Sequence, residues 1–182
     1  YKREITLSSA TSIDNTTIAI VLDNSTFDYQ YVNQTGRDIR FYDSTLSTKF
    51  HYWIEEWNYD GKSKIWVRIP DSGTSKFYLT YGLASAVSES NGTNVFEFFD
   101  DFEDGILDST LWKGDTDYFT ECDGGYLSTS STCDGGGSPN GYSLLSIEEW
   151  TGSYVIEVRM YIDWTDYYGF QAAGWQGIGA GF

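Results

Sequence analysis

Carboxylates are the most abundant ionisable groups in this chain, with 27 Asp and Glu against 11 Lys and Arg and a single histidine. Glycoside hydrolysis needs two carboxyl groups set roughly 5–10 Å apart across a sugar-binding cleft. The adjacent pairs Glu55-Glu56 and Glu148-Glu149 do not meet that need, because neighbouring side chains on a strand point to opposite faces. His51 has no nucleophile motif near it and reads as an ordinary strand residue. No glycine-rich phosphate loop precedes a helix. These residues predict a protein that is not an enzyme. The run Asp100-Asp101-Phe102-Glu103-Asp104-Gly105 is denser in carboxylates than a strand end requires. Hard oxygen ligands on a loop suit Ca²⁺, although the spacing is not that of an EF-hand. Asp100, Asp101 and Asp104 are the candidate ligands of a structural Ca²⁺; the plainer reading is a solvated acidic turn, and no other cofactor is required.

Cys122 and Cys133 are the two cysteines, both followed by Asp-Gly. A disulfide between them closes a short loop, for which the chain-entropy model gives about 2.5–3 kcal/mol; two free thiols are the alternative. One histidine and two cysteines are too few for a zinc site. Asn15, Asn24, Asn33 and Asn91 each stand two residues before Ser or Thr, making four candidate N-glycosylation sites. Sequons and a cysteine pair together predict a secreted, cell-surface address. Tyr1 reads as the start of a processed chain or of a fragment.

Aromatic residues make up 18% of the chain. Each buried ring removes roughly 150–250 Å² from water, so a packed core is expected. Trp53 and Trp57, four apart and therefore expected on one strand face, are candidates for stacking on sugars or on another subunit. So are Trp164, Tyr167, Tyr168 and Trp175, although core packing is the plainer reading for most of them. The net charge of -16 disfavours nucleic acids and anionic membrane surfaces. No apolar run is long enough to span a bilayer, so no membrane insertion is expected in this segment.

The elements that must carry these residues follow a period of two. Ile65, Val67 and Ile69 alternate with Trp66 and Arg68, and Phe77, Leu79 and Tyr81 alternate with Tyr78 and Thr80. Tyr154, Ile156, Val158, Met160 and Ile162 form the longest such stripe. Further strands are expected near 2–8, 17–23, 38–42 and 50–57, with turn signals between them. Asp108–Trp112 alone hints at a helical turn, capped by Asp108. The fold class is all-β, built as two β-sandwich units over 1–95 and 96–182, with the small polar stretch Ala84–Thr93 at their boundary.

Several segments are similar to a family of surface-protein domains that carries only a domain-of-unknown-function label. They are Tyr1-Lys2-Arg3-Glu4-Ile5-Thr6-Leu7, Asp38-Ile39-Arg40-Phe41, Tyr52-Trp53-Ile54-Glu55, Ile65-Trp66-Val67-Arg68-Ile69-Pro70, Tyr78-Leu79-Thr80-Tyr81-Gly82 and Phe96-Glu97-Phe98-Phe99-Asp100-Asp101-Phe102. The resemblance covers residues 1 to about 103. It implies prokaryotic surface proteins associated with adhesion or carbohydrate contact, and no catalytic residues. In that family a concanavalin-like (laminin-G-like, jelly-roll) sandwich commonly follows, and Phe99–Glu103, Leu111-Trp112 and Tyr154–Arg159 look like the start of one. About 85 residues remain after Val95, too few for a full sandwich, so the second unit is expected to be incomplete. A partner could complete it by strand addition. The expected function is a non-catalytic glycoprotein that self-associates by β-strand pairing in a surface filament or layer. A carbohydrate-binding adhesion module is the alternative, and a glycoside hydrolase a remote one.

Overall fold

The computed structural model describes residues 1–123, 125–128, 143–149 and 151. Within them the protein is all-β, and its helical content is three single 3-10 turns at Tyr29–Tyr31, Gly92–Asn94 and Thr116–Tyr118. No helix among the described residues is long and apolar enough to cross a membrane. The chain divides into two compact units, Tyr1–Asp100 and Asp101–Phe182.

The first unit is one antiparallel sheet of six strands: β1 (Lys2–Thr6), β2 (Thr16–Leu22), β3 (Arg40–Tyr42), β4 (Lys49–Glu56), β5 (Ser63–Ile69) and β6 (Lys76–Thr80). Their order across the sheet is β1-β6-β3-β4-β5-β2. Alternation dictates the faces. Ser63, Ile65, Val67 and Ile69 of β5 are buried, and Lys64, Trp66 and Arg68 between them are half-buried on the other face. The sheet curls around one core in which Phe41, Phe50, Tyr52, Phe77 and Leu79 meet Ile65, Val67 and Ile69. Phe41 and Tyr52 pack with ring centroids 5.5 Å apart, and Phe50 and Phe77 with 5.8 Å. Truncating such a buried ring typically costs about 3–5 kcal/mol.

The outer face of β4 and β5 is also covered. Trp53 and Trp66 stand opposite each other in register. Phe96 lies 5.9 Å from the first ring and 5.5 Å from the second, and Phe99 lies 4.7 Å from Trp53. These phenylalanines arrive at the end of a strap, residues 83–99, that follows β6. The stretch Ala84–Thr93 is not the expected boundary between units. Instead, Arg40 donates to Val87 O at 2.6 Å, and its Nε pairs with Glu89 at 3.0 Å. Asn91 N donates to Tyr52 O at 2.9 Å, and Ile54 N donates to Ser90 Oγ at 2.8 Å. Thr17 Oγ1 donates to Val95 O at 3.1 Å. Small polar side chains suit this role, because the strap must reach β4 closely and satisfy its backbone. The first unit therefore runs past the boundary expected at 95, through Phe96 and Phe99, to Asp100.

A β-bulge between Ile54 and Glu56 breaks the alternation of β4. Trp53 consequently faces the strap, whereas Trp57 packs against the inner core. Trp57 meets Tyr29 at 5.7 Å, covers Gly36, and donates from Nε1 to Gln34 O at 3.0 Å. The expectation that both rings share one face fails on that single extra residue.

In the second unit the described strands are β7 (Trp112–Gly114), β8 (Thr120–Cys122), β9 (Tyr126–Ser128) and β10 (Leu144–Ser146), forming two antiparallel pairs, β10-β7 and β8-β9. Gly114, at φ 108, lies so close to Ser143 O that an added Cβ would sit 2.6 Å from it. The expected turn at Asp108 is present: its carboxylate accepts from Thr110 N at 2.7 Å, and its carbonyl accepts from Leu111 N and Trp112 N. The stripe expected over 154–162 lies outside the described residues.

Candidate functional site

A sheet of six strands has two edges, and here they differ in chemistry. At one edge β1 reads Lys-Arg-Glu-Ile-Thr. Lys2 lies over the Tyr78 ring at 4.5 Å, Tyr78 donates to Glu4 at 3.0 Å, and Arg3 stands opposite Leu79 on the core-facing side. Charges on an edge, inward-pointing ones included, discourage a further strand from docking. At the other edge β2 reads Thr-Thr-Ile-Ala-Ile-Val-Leu, seven residues without a charge. Ile18, Ile20 and Leu22 turn toward the core, opposite Val67, Ile65 and Ser63 of β5. Ala19 and Val21 lie on the outer face, and Val21 is 56% exposed.

In an antiparallel pair, alternate residues aim their N–H and C=O groups to opposite sides. One set on β2 bonds to β5. Among the described residues nothing hydrogen-bonds to the other side of Ile18–Val21. Beyond the strand, Leu22 O lies 3.2 Å from the Tyr29 hydroxyl, which also lies 3.1 Å from Ser63 Oγ. Burial pushes the Tyr29 phenol above its ordinary pKa, which keeps the proton that these contacts use. The chain then turns at Asp23, whose carboxylate takes bonds from Ser25 and Thr26 and is held below the usual range chiefly by the Ser25 hydroxyl.

The asparagines of the four sequons lie in the first unit, outside its strands. Asn15 and Asn24 are exposed at the two ends of β2. Asn33 is half-buried, and its Oδ1 accepts from Thr35 N at 3.0 Å and Thr35 Oγ1 at 2.9 Å. Asn91 is exposed and caps the strap's 3-10 turn, accepting from Asn94 N at 3.1 Å. Beside Asn24 an open groove of about 490 Å³ is lined by Arg3, Asp28, Gln30, Tyr59 and Asp60. Its exposed aromatic, Tyr59, rests edge-on against Tyr29 at 5.7 Å.

The remaining candidates are placed as follows. Trp53 and Trp57 are committed to the two apolar layers described above, and the fold separates them. Trp164, Tyr167, Tyr168 and Trp175 lie outside the described residues. Cys122 is disulfide-bonded, and Cys133 lies outside the described residues. Asp100 ends the first unit, while Asp101 and Asp104 open the second. Asp104 accepts from Ile106 N at 3.0 Å, and among the described residues no three His, Cys, Asp or Glu side chains converge as a metal-ligand set. Glu55 is held by Trp66 Nε1 at 2.6 Å and Lys64 Nζ at 2.9 Å. His51 stands opposite Arg68 in the ladder. Sequence reasoning missed the bare edge, because strand order is not a local property. The absence of charge in Thr16–Leu22, set against Lys2-Arg3-Glu4, was the available signal.

Over residues 35–115 the chain matches a family described as Domain of unknown function (DUF2341). The match takes in β3 to β6, the strap and β7. It starts and ends later than the resemblance drawn over residues 1 to about 103, and it leaves β1 and β2 outside. No curated protein and no solved structure matches the chain.

Proposed function

We propose that this chain is a non-catalytic extracellular glycoprotein that serves as a structural subunit at a cell surface, joining copies of itself by β-strand pairing. The observation that carries the reading is the uncharged edge of β2. An unprotected edge of this length is a template for another strand. A second copy fits it in antiparallel register about Ala19, which sets Ile18 opposite Ile20 and Thr17 opposite Val21 of the copy. Every side chain then meets one of its own face, and no like charges are opposed. One such contact closes a two-fold pair; a filament or layer needs a second, different contact from each chain. The finer architecture expected from the sequence, two sandwiches of which the second is concanavalin-like, belongs to the same proposal. Sedimentation velocity across a concentration series tests it. Made without N-glycosylation, the parent chain is expected to pair and the Ala19→Lys variant to stay monomeric with the same melting temperature. A monomer throughout overturns the reading.

The groove beside Asn24 favours the second reading, a carbohydrate-binding module. It offers an aromatic edge, two carboxylates and a guanidinium within one concavity, the mixture that sugar hydroxyls and ring faces engage. Glycan-array binding that disappears in Tyr59→Ala supports it, and an array without signal removes it.

A further inference from the structure

Two of the four sequons bracket the bare edge. Asn15 is the residue immediately before β2, and Asn24 is the second residue after it. We infer that glycosylation at Asn15 and Asn24 controls whether β2 pairs: sugar at both ends keeps the edge closed, and chains without it associate. The inference rests on the edge-pairing reading above and adds its regulation.

Both amides are placed to accept sugar. Asn15 adopts the left-handed backbone, φ 55, which turns its side chain off the line of the strand. Its Oδ1 accepts from Arg68 Nε at 3.4 Å, so the carbonyl end is held and Nδ2 is presented. Asn24 Nδ2 donates to Asp60 O at 3.1 Å, using one of its two hydrogens. Glycosylation replaces the other: Nδ2 bonds the anomeric carbon of a lipid-phosphate-activated sugar, the phosphate leaves with the electron pair of its bond, and one amide proton is lost. The Asp60 contact survives that exchange.

Pairing geometry makes these two positions decisive. With Ala19 opposite Ala19, Asn15 of one copy faces Asp23 of the second and neighbours that copy's Asn24. Each end of the paired ribbon would therefore crowd two glycans into the space of adjacent residues. Sliding the register by two keeps the faces matched, but it shortens the ladder and still carries one copy's strand past the other's sequon. Parallel pairing places like sequons side by side. A bulky, hydrated substituent at each end thus opposes every register that uses most of the strand. Asn33 and Asn91 lie on other loops and provide the comparison.

The test compares three preparations of the full chain by sedimentation velocity: made without N-glycosylation, isolated glycosylated from its source, and glycosylated but carrying Asn15→Gly with Asn24→Gln. Glycine keeps the left-handed backbone at position 15. Mass spectrometry of peptides reads occupancy. The expected result is pairing in the first and third preparations and at least about tenfold weaker association in the second. Thr35→Val, which removes the Asn33 sequon, should leave the glycosylated chain unpaired. Unoccupied Asn15 and Asn24 in native material, or equal pairing with and without sugar, overturns glycan control and leaves edge pairing standing. Restoration of pairing by Thr35→Val also overturns it, since sugar anywhere would then suffice. A sugar-free chain that never pairs overturns the edge reading itself.

Discussion

β4 and β2 both have an edge left open by the strand ladder, and the molecule treats the two in opposite ways. β3 is short and covers β4 only as far as Phe50. Beyond it the strap supplies Asn91 N to Tyr52 O and Ser90 Oγ to Ile54 N, and lays Phe96 and Phe99 over Trp53. β2 takes from the strap only the Thr17 Oγ1 bond to Val95 O, with no backbone cover of Ile18–Val21 among the described residues, although it is nearly as long as β4 and lacks the charges of β1. An unbonded backbone edge in the middle of a sheet must be closed within the chain, because a buried amide without a partner costs about 1–3 kcal/mol. At the rim water serves the same groups, so closure is optional and remains available for recognition.

Perturbing the strapped edge gives the largest expected change. Gly92 lies under the Phe99 ring, where an added Cβ collides with it. Gly92→Val should lower unfolding free energy by about 2–3 kcal/mol in chemical denaturation, since the ring it displaces is itself stacked on Phe96. If β4 is thereby uncovered, the variant also associates through a second edge, and the contrast with β2 disappears. Next comes Val21→Glu, which gives β2 a charge as on β1 and sets it opposite Lys64 of β5. It should weaken pairing at least tenfold, or about 1.4 kcal/mol, while unfolding stays within about 0.5 kcal/mol of the parent. Ser90→Ala removes the acceptor for Ile54 N and should cost about 1 kcal/mol, with faster amide exchange at Ile54 and not on β2. The smallest effect concerns acid. Lys49 first, and Arg40 as well, hold the Glu89 carboxyl below its usual range. A carboxylate depressed in the folded state contributes stability above its unfolded pKa, near 4.3, and loses it as pH falls through the lower folded value. Protection of the strap amides, measured relative to their intrinsic exchange rates at each pH, should therefore fall as the solution is acidified through the lowered Glu89 range. Glu89→Gln should flatten that dependence, and a profile unchanged by it separates the strap from this ion pair.

Period-two alternation made β5 and β6 legible residue by residue, because each buries alternate side chains against a single core. The same rule misled at β4. One bulged residue reverses every side chain after it, and nothing in the run Trp53–Trp57 announces the insertion. The strap was misread for a related reason. Its Ser, Asn and Gly residues have the composition of a linker, yet those groups are what a neighbouring strand's backbone can use. The sequons were legible as motifs. Their bracketing of a sheet edge was not, since it depends on β2 lying last in an order that only the folded chain sets.

Tyr52 touches both halves of this arrangement. Its ring, 1% exposed, is part of the core, while its phenolic oxygen accepts from Arg40 Nη1 at 3.2 Å and Glu89 N at 3.3 Å, and its carbonyl accepts from Asn91 N. Lifting the strap strips partners from a side chain that cannot leave without opening the hydrophobic centre. Melting of the strap and melting of the sheet should thus be a single thermal event, and a calorimetric trace of the first unit would show one peak where its layered anatomy suggests two.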